Sequence, residues 1–168
     1  MGRGAPKAQG NVWYEARIEA AKWNERLQSR LGAAEEMGLS EDAVKSAELG
    51  LYKFLPVDNA VLMADTYNAP ELLNHYCLNE CPIGRNRPLS TEVVGVDRIT
   101  VKLLQSLRED AMQDLKYKML DIAEDGNVTG DELARLGEII EQMDELSKTI
   151  SELKILGEKV MRRARGDC

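Results

Sequence analysis

From Leu136 to Val160 the apolar residues fall in heptads, with Leu136, Met143 and Ile150 at one core position and Ile139, Leu146, Leu153 and Val160 at the other. Glu138, Glu141, Asp144, Glu145, Lys148, Glu152 and Lys154 occupy the remaining faces. A repeat of this kind confines the segment to a coiled-coil helix, because a 3.5-residue period keeps one apolar seam turned toward a partner. The stretch before it carries Ile99, Leu103, Leu107, Ala111, Leu115, Met119 and Ile122, three or four residues apart, the spacing of one helix face. Joined through EDGNVTGDE, the two predict an antiparallel helical hairpin over residues 97–165. The core of such a hairpin is thin, so it is expected to pack against a second copy as a homodimer or a higher homo-oligomer. The same coiled coil offers a docking face to a protein partner.

The link between those helices has two readings. Aligned to a calcium-binding loop, DIAEDGNVTGDE puts Asp121, Asp125, Gly126, Val128, Thr129 and Glu132 at expected positions. Ala123 stands where that loop needs an Asp or Asn, which removes a ligand. The same residues also spell a turn: Gly126 ends one helix, and Thr129 with Glu132 three residues on forms a capping box for the next. The turn is the reading adopted.

Ahead of the hairpin the chain is built from shorter units. Residues 1–11, small, polar and weakly basic, are expected to form a disordered arm. Residues 12–74 carry helical patterns, beginning with VWYEARIEAAKWNER and its Trp13, Ile18 and Trp23. Residues 75–96, HYCLNECPIGRNRPLSTEVVGV, hold two cysteines, two prolines and two glycines, and read as an ordered connector. No alternating run is long enough to argue for a sheet, so the chain is expected to be all-α: a small helix-turn-helix domain, then the long helical hairpin.

The helix-turn-helix expectation rests on SRLGAAEEMGLSEDAVKSAELG. Such a unit needs a small residue where two helices cross, a turn residue that tolerates positive φ, and apolar residues pinning the second helix to the first. Ala34, Gly38, Leu39, Val44 and Ala47 supply these in order. Ser40 is placed to cap the second helix, and Glu48-Leu49-Gly50 closes it. Pro56 then opens PVDNAVLMADTYNAPEL, an amphipathic helix with Val61, Leu62, Ala64 and Tyr67. Residues 12–72 resemble the lambda-repressor-like, xenobiotic-response-element (XRE) family of helix-turn-helix regulators, matching its run at Ser29, Ala34, Gly38, Leu39, Ser40, Val44, Glu48 and Gly50. YNAPELLNHYCLNECPIG further resembles a subgroup with a Cys-x3-Cys-Pro-Ile-Gly connector and a helical C-terminal tail. The resemblance implies a transcription regulator that binds double-stranded DNA as a dimer.

Charge bears on that implication. The chain carries a formal net charge of −7, and residues 1–68 hold 8 basic against 10 acidic side chains. DNA affinity comes largely from Lys and Arg neutralising phosphates. Where family members usually have Gln this chain has Arg30, and Glu41 and Asp42 open the recognition helix. Both carboxylates also suit a helix N-terminus on dipole grounds alone. The predicted DNA-binding set is Arg30, Ser40, Glu41, Asp42, Lys45, Ser46 and Lys53. Within it Arg30, Lys45 and Lys53 are expected on phosphates, aided by Arg3 and Lys7 of the arm. Ser46 and one early carboxylate are expected at base edges, where a carboxylate accepts from cytosine N4.

His75, Cys77 and Cys81 lie close in sequence. Two thiolates and an imidazole are three of the four ligands zinc usually takes, with Cys168 or a second subunit left to supply the fourth. The other readings are a structural cysteine pair and a redox-switched disulfide. The structural reading is adopted, with no cofactor and no metal assigned; zinc stands as the alternative. No phosphate-cradling loop, nucleophile elbow or second histidine supports an enzyme. With no export signal, no membrane-spanning run and an odd cysteine count, a reduced cytoplasmic setting is expected. The competing function is a protein-interaction adaptor on a helix-turn-helix scaffold that has lost DNA binding.

Overall fold

The computed structural model describes residues 7–123, 128–130 and 132–166. The described residues form eight α-helices and no strand, so the chain is all-α. None of these helices is long and apolar enough to cross a membrane. Two compact units emerge: one comprises the chain to Arg87 together with the stretch from Gly157 onward, the other Pro88–Leu156.

The first unit begins earlier than its sequence suggests. Residues 7–10 form a turn in which Ala8 is buried, and the Asn11 amide donates to the Ala8 carbonyl at 3.0 Å. The expected disordered arm is therefore corrected over residues 7–11; residues 1–6 lie outside the described residues. Asn11 caps α1 (Val12–Ala20), its Oδ1 accepting from the amide of Trp13 at 2.9 Å. Its Nδ2 donates to the Ala47 carbonyl at 3.2 Å, which ties the start of α1 to the end of α3 (Glu41–Glu48). α1 stops at Ala20, short of the helical pattern over 12–26, and a 3-10 turn follows at Glu25–Gln28.

α2 (Arg30–Met37) is capped by Ser29, whose Oγ accepts from the Gly32 amide at 2.9 Å. It ends at Gly38, which sits at φ 66°, so that the Leu39 amide reaches back to the Ala34 carbonyl at 2.9 Å. Glycine, having no Cβ, adopts that backbone conformation at little cost. Ser40 caps α3 through the Ala43 amide at 3.1 Å. α3 ends as α2 does, with Gly50 at φ 63° and the Leu51 amide on the Ser46 carbonyl at 2.9 Å.

The helix expected from Pro56 onward is two helices, α4 (Val57–Thr66) and α5 (Glu71–Asn79). Asn68 takes φ 49° and the Ala69 amide bonds the Ala64 carbonyl, while Pro70 has no N–H with which to continue the ladder. Val61 and Leu62, expected inside, face outward; Ala60, Met63, Ala64 and Tyr67 are the buried residues. They join Trp13, Leu27, Ala33, Ala34, Val44, Ala47, Leu55 and Leu72 in one core rich in alanine. Small side chains let short helices approach closely. After α5 the Cys-Pro-Ile-Gly turn brings Gly84 against the backbone of Cys77, where a Cβ would stand 2.2 Å from the Cys77 carbonyl oxygen.

In the second unit α6 (Val96–Ser106) and α7 (Glu109–Ala123) replace the single helix expected before the turn. The break falls at Leu107–Arg108, and Glu109 and Asp110 occupy the first turn of α7, where carboxylates favour a helix N-terminus. α8 (Glu132–Arg165) is a single 34-residue helix. Ion pairs Lys118–Glu138 and Asp121–Arg135 link α7 to α8 in opposite residue order, as antiparallel helices require. Ile139 is buried and Leu136, Met143 and Leu146 are half-buried, as the heptads predict. Further along, Ile150, Leu153 and Val160 of the same seam are 40, 42 and 56% exposed, and Thr149, Ser151, Glu152 and Ile155 are buried in their place. The cause is Glu152: Lys102 donates to both its carboxylate oxygens at 2.8 Å and the Ser90 hydroxyl to Oε1 at 3.2 Å, which turns that face of the helix inward.

Two glycines test this packing with opposite signs. Gly84→Ala forces a methyl into the Cys77 backbone and should lower stability by about 1–3 kcal/mol. Gly137→Ala, on an exposed face of α8 with open space around it, should raise stability by about 0.5–1 kcal/mol. Urea midpoints of the two variants measure both shifts.

Candidate functional site

Glu48, in the last turn of α3, is 1% exposed, and Arg17, in the middle of α1, is 3% exposed. Arg17 Nε donates to Glu48 Oε1 at 2.5 Å and its Nη2 to Oε2 at 3.2 Å, a two-point contact. Arg17 Nη1 donates in addition to the carbonyls of Leu27 and Gln28, at 2.8 and 3.1 Å. Arg30, at the start of α2, donates from Nε to Glu48 Oε2 at 2.7 Å. One carboxylate thus gathers α1, the 3-10 turn, α2 and α3. Both buried charges are matched by charged and carbonyl partners, the condition under which an interior ion pair is tolerated.

A carboxylate at a helix C-terminus opposes the helix dipole. Glu48 occupies that position because the guanidinium groups of Arg17 and Arg30 outweigh a surface-scale dipole effect. That conflict was the available signal in the sequence for a buried partner; Arg17 itself carried none. The Tyr67 phenol stands near this pair. Burial pushes its pKa above the ordinary tyrosine range, the Glu48 charge adds to the rise, and the Arg17 charge opposes it.

With Val44, Ala47 and Glu48 turned inward, the opposite face of α3 is left outside: Glu41, Asp42 and Lys45 are exposed, and Ser46 is half-buried. Ser40 is exposed with its hydroxyl engaged as the cap of α3. Lys45 Nζ lies 3.8 Å from Asp42, an open surface pair of about 0–1 kcal/mol. Lys53 is exposed, its Nζ 5.5 Å from the Phe54 ring centroid. Arg30, expected on a phosphate, keeps a side chain 29% exposed with Nε held by Glu48. Lys7 is exposed on the N-terminal turn, and Arg3 lies outside the described residues. Near α2, Arg26 pairs with both Glu35 and Glu36, at 3.2 and 3.1 Å.

The connector residues separate by chemistry. Cys77 and Cys81 are half-buried free thiols. His75 sets its ring edge-on to Trp13, at 6.2 Å between centroids and 84° between planes. Its Nδ1 lies 3.2 Å from Asn79 Nδ2, and burial lowers its pKa against the opposing charge of Glu80. Among the described residues no group of three or more His, Cys, Asp and Glu side chains is placed to hold a metal ion. Cys168, which with a second subunit is one of two sources for a fourth ligand in the zinc alternative, lies outside them. So do Asp125 and Gly126 of the calcium-loop alignment. Within the described part of that loop, Glu132 accepts from the Thr129 amide at 2.7 Å and the Thr129 hydroxyl at 2.8 Å, and Asp121 pairs with Arg135.

The buried cluster and the exposed face should respond very differently to substitution. Glu48→Ala strands Arg17 in the core and should cost about 3–5 kcal/mol. Glu41→Ala, on the open face, should stay within about 0.5 kcal/mol of the parent. Chemical denaturation of both variants reads the difference directly. Compared with known proteins, the chain matches no family model, no curated protein and no solved structure.

Proposed function

We propose that the chain is a sequence-specific DNA-binding transcriptional regulator. In this reading α2, the Gly38 turn and α3 are a helix-turn-helix, and α3 is its recognition helix. The protein acts as a homodimer through a coiled coil formed by its C-terminal helices. The observation that carries the reading is the orientation of α3. Glu48, Val44 and Ala47 anchor one side, and Ser40, Glu41, Asp42 and Lys45 are presented together on the other. A rigidly anchored short helix with one free polar face is what insertion into a major groove requires. Lys45 and Lys53 are the exposed cations for phosphate, and Arg30 contributes what Glu48 leaves of its guanidinium. Dimerisation is supported by the seam residues Ile150, Leu153 and Val160, which stand exposed on α8.

A second reading, a protein-interaction adaptor that does not bind DNA, draws on the same face. Glu41 and Asp42 are open carboxylates there, Lys45 lies near Asp42, and Arg30 is held by Glu48. Such a face repels phosphate and suits a basic protein partner.

Selection of bound duplexes from a randomised pool, with reduced full-length protein, decides between them. The regulator reading expects an enriched, roughly palindromic motif that is lost in Lys45→Ala. It also expects affinity to fall roughly a hundredfold between about 50 and 200 mM salt, as a few phosphate contacts per subunit imply. Lys45→Ala should reduce the logarithmic salt slope by about 1 for each subunit. Absence of enrichment at low salt overturns the regulator and leaves the adaptor.

A further inference from the structure

Asn11 divides its side-chain amide between two helices. Its Oδ1 accepts from the amides of Trp13 and Tyr14, at 2.9 and 3.4 Å, and so caps α1. With the oxygen turned to those two donors the amide cannot be reversed, and Nδ2 donates to the Ala47 carbonyl at 3.2 Å. Ala47 lies in the last turn of α3, where carbonyls run out of amide partners in their own helix. The backbone of Asn11 is held as well: its amide bonds the Ala8 carbonyl and its carbonyl accepts from the Glu15 amide, both at 3.0 Å. Just ahead, the Gly10 amide donates to the Glu15 carboxylate at 3.0 Å. The tether to α3 therefore starts from a fixed point.

α1 thus grips the end of α3 at two places. Arg17 holds the Glu48 carboxylate, and Asn11, six residues earlier and about 9 Å away along the helix, holds the carbonyl of the neighbouring Ala47. Bonds that leave α1 so far apart set the angle between the two helices, which either alone would leave free to pivot. At its other end α3 is joined to α2 through the Gly38 turn. Ser40 lies about 10 Å from Ala47 along the axis of α3, so a change of about 10° in that angle moves it by about 2 Å. Hydrogen bonds to base edges fail over such a shift, because their donor–acceptor distances span only about 0.5 Å. Contacts between lysine and phosphate survive it, since a long flexible side chain follows the charge.

We propose that Asn11 is a positioning residue for α3: through the Ala47 carbonyl it fixes the angle at which the outer face of that helix is presented, and so governs discrimination between DNA sequences rather than attraction to DNA. The inference rests on the regulator reading, in which that face enters the major groove. Capping of α1 and tethering of α3 are separate tasks of one side chain, carried by its oxygen and its nitrogen respectively.

Asn11→Ser separates those tasks. Serine caps a helix about as well as asparagine, so α1 keeps its start, but it has no amide nitrogen to reach Ala47. The full chain and this variant are compared on the duplex that the parent selects and on the same duplex with one base pair changed in each half-site, at a temperature where urea titration shows both proteins folded. The ratio of the two affinities is expected to fall about tenfold in Asn11→Ser. The logarithmic salt slope should stay that of the parent, because the phosphate contacts are unchanged. Asn11→Asp also keeps the cap, and it turns a carboxylate oxygen toward the Ala47 carbonyl; its ratio should fall at least as far. If the parent selects a motif and either variant keeps the parent's ratio, the proposal is overturned while the regulator reading stands. A loss of affinity shared equally by both duplexes overturns it too, since that signals a weakened fold rather than a turned helix. Absence of any selected motif in the parent overturns the regulator reading and this proposal with it.

Discussion

The first unit is organised around a single buried carboxylate. Its core is mostly alanine with a few larger side chains, and apolar contact of that kind has little directional preference. The Glu48 ion cluster supplies the direction. Arg17 reaches it from α1 while holding the carbonyls of the 3-10 turn, and Arg30 reaches it from the start of α2. Rotating α3 by one residue would carry Glu48 away from both guanidinium groups and leave Arg17 charged and buried. A stranded interior charge costs several kcal/mol, comparable with the whole stability of a small domain. The side of α3 that faces outward is therefore a consequence of an interaction on the side that faces in.

The second organising device is a repeated way of ending helices. α2, α3 and α4 each finish on a residue with left-handed backbone, Gly38, Gly50 and Asn68, and each is closed by an amide bonding the carbonyl five residues earlier. Short helices lose a large share of their hydrogen bonds at their ends, so closing those ends cheaply matters more here than in a long helix. The use of Asn at the third position has a structural reason that glycine would not meet. Its side chain bonds the Lys159 carbonyl, and Lys159 in turn pairs with Glu71, so the last residues of α8 are tied to the α4–α5 corner.

Local signals in the sequence were reliable guides to local structure. Ser40 and Gly38 stand where capping and positive φ required them, and Thr129 with Glu132 forms the anticipated bonds at the entry to α8. Signals that depended on a whole face were less reliable. The heptads of α8 describe its buried side only while α7 lies against it. Beyond Leu146 the requirements of Glu152, Lys102 and Ser90 set the orientation, and the apolar seam is left outside. The breaks at Leu107 and Asn68 leave no mark in the sequence, because apolar spacing continues across both. The turn at residues 7–11 has the composition of a loose tail, and a single buried alanine, Ala8, anchors it.

The sequence by itself determined the all-helical class, the short helices before residue 80, the long helix at the end and the caps at Ser40 and Thr129, because these follow from interactions spanning five residues or fewer. Tertiary structure alone decided which charges are inside. Arg17 and Glu48 are 31 residues apart, and Arg17 looks like an ordinary surface residue in the chain; only packing brings the two within 2.5 Å. Burial changes the worth of a polar group by more than its identity does, and burial is a property of the assembled fold rather than of any stretch of sequence.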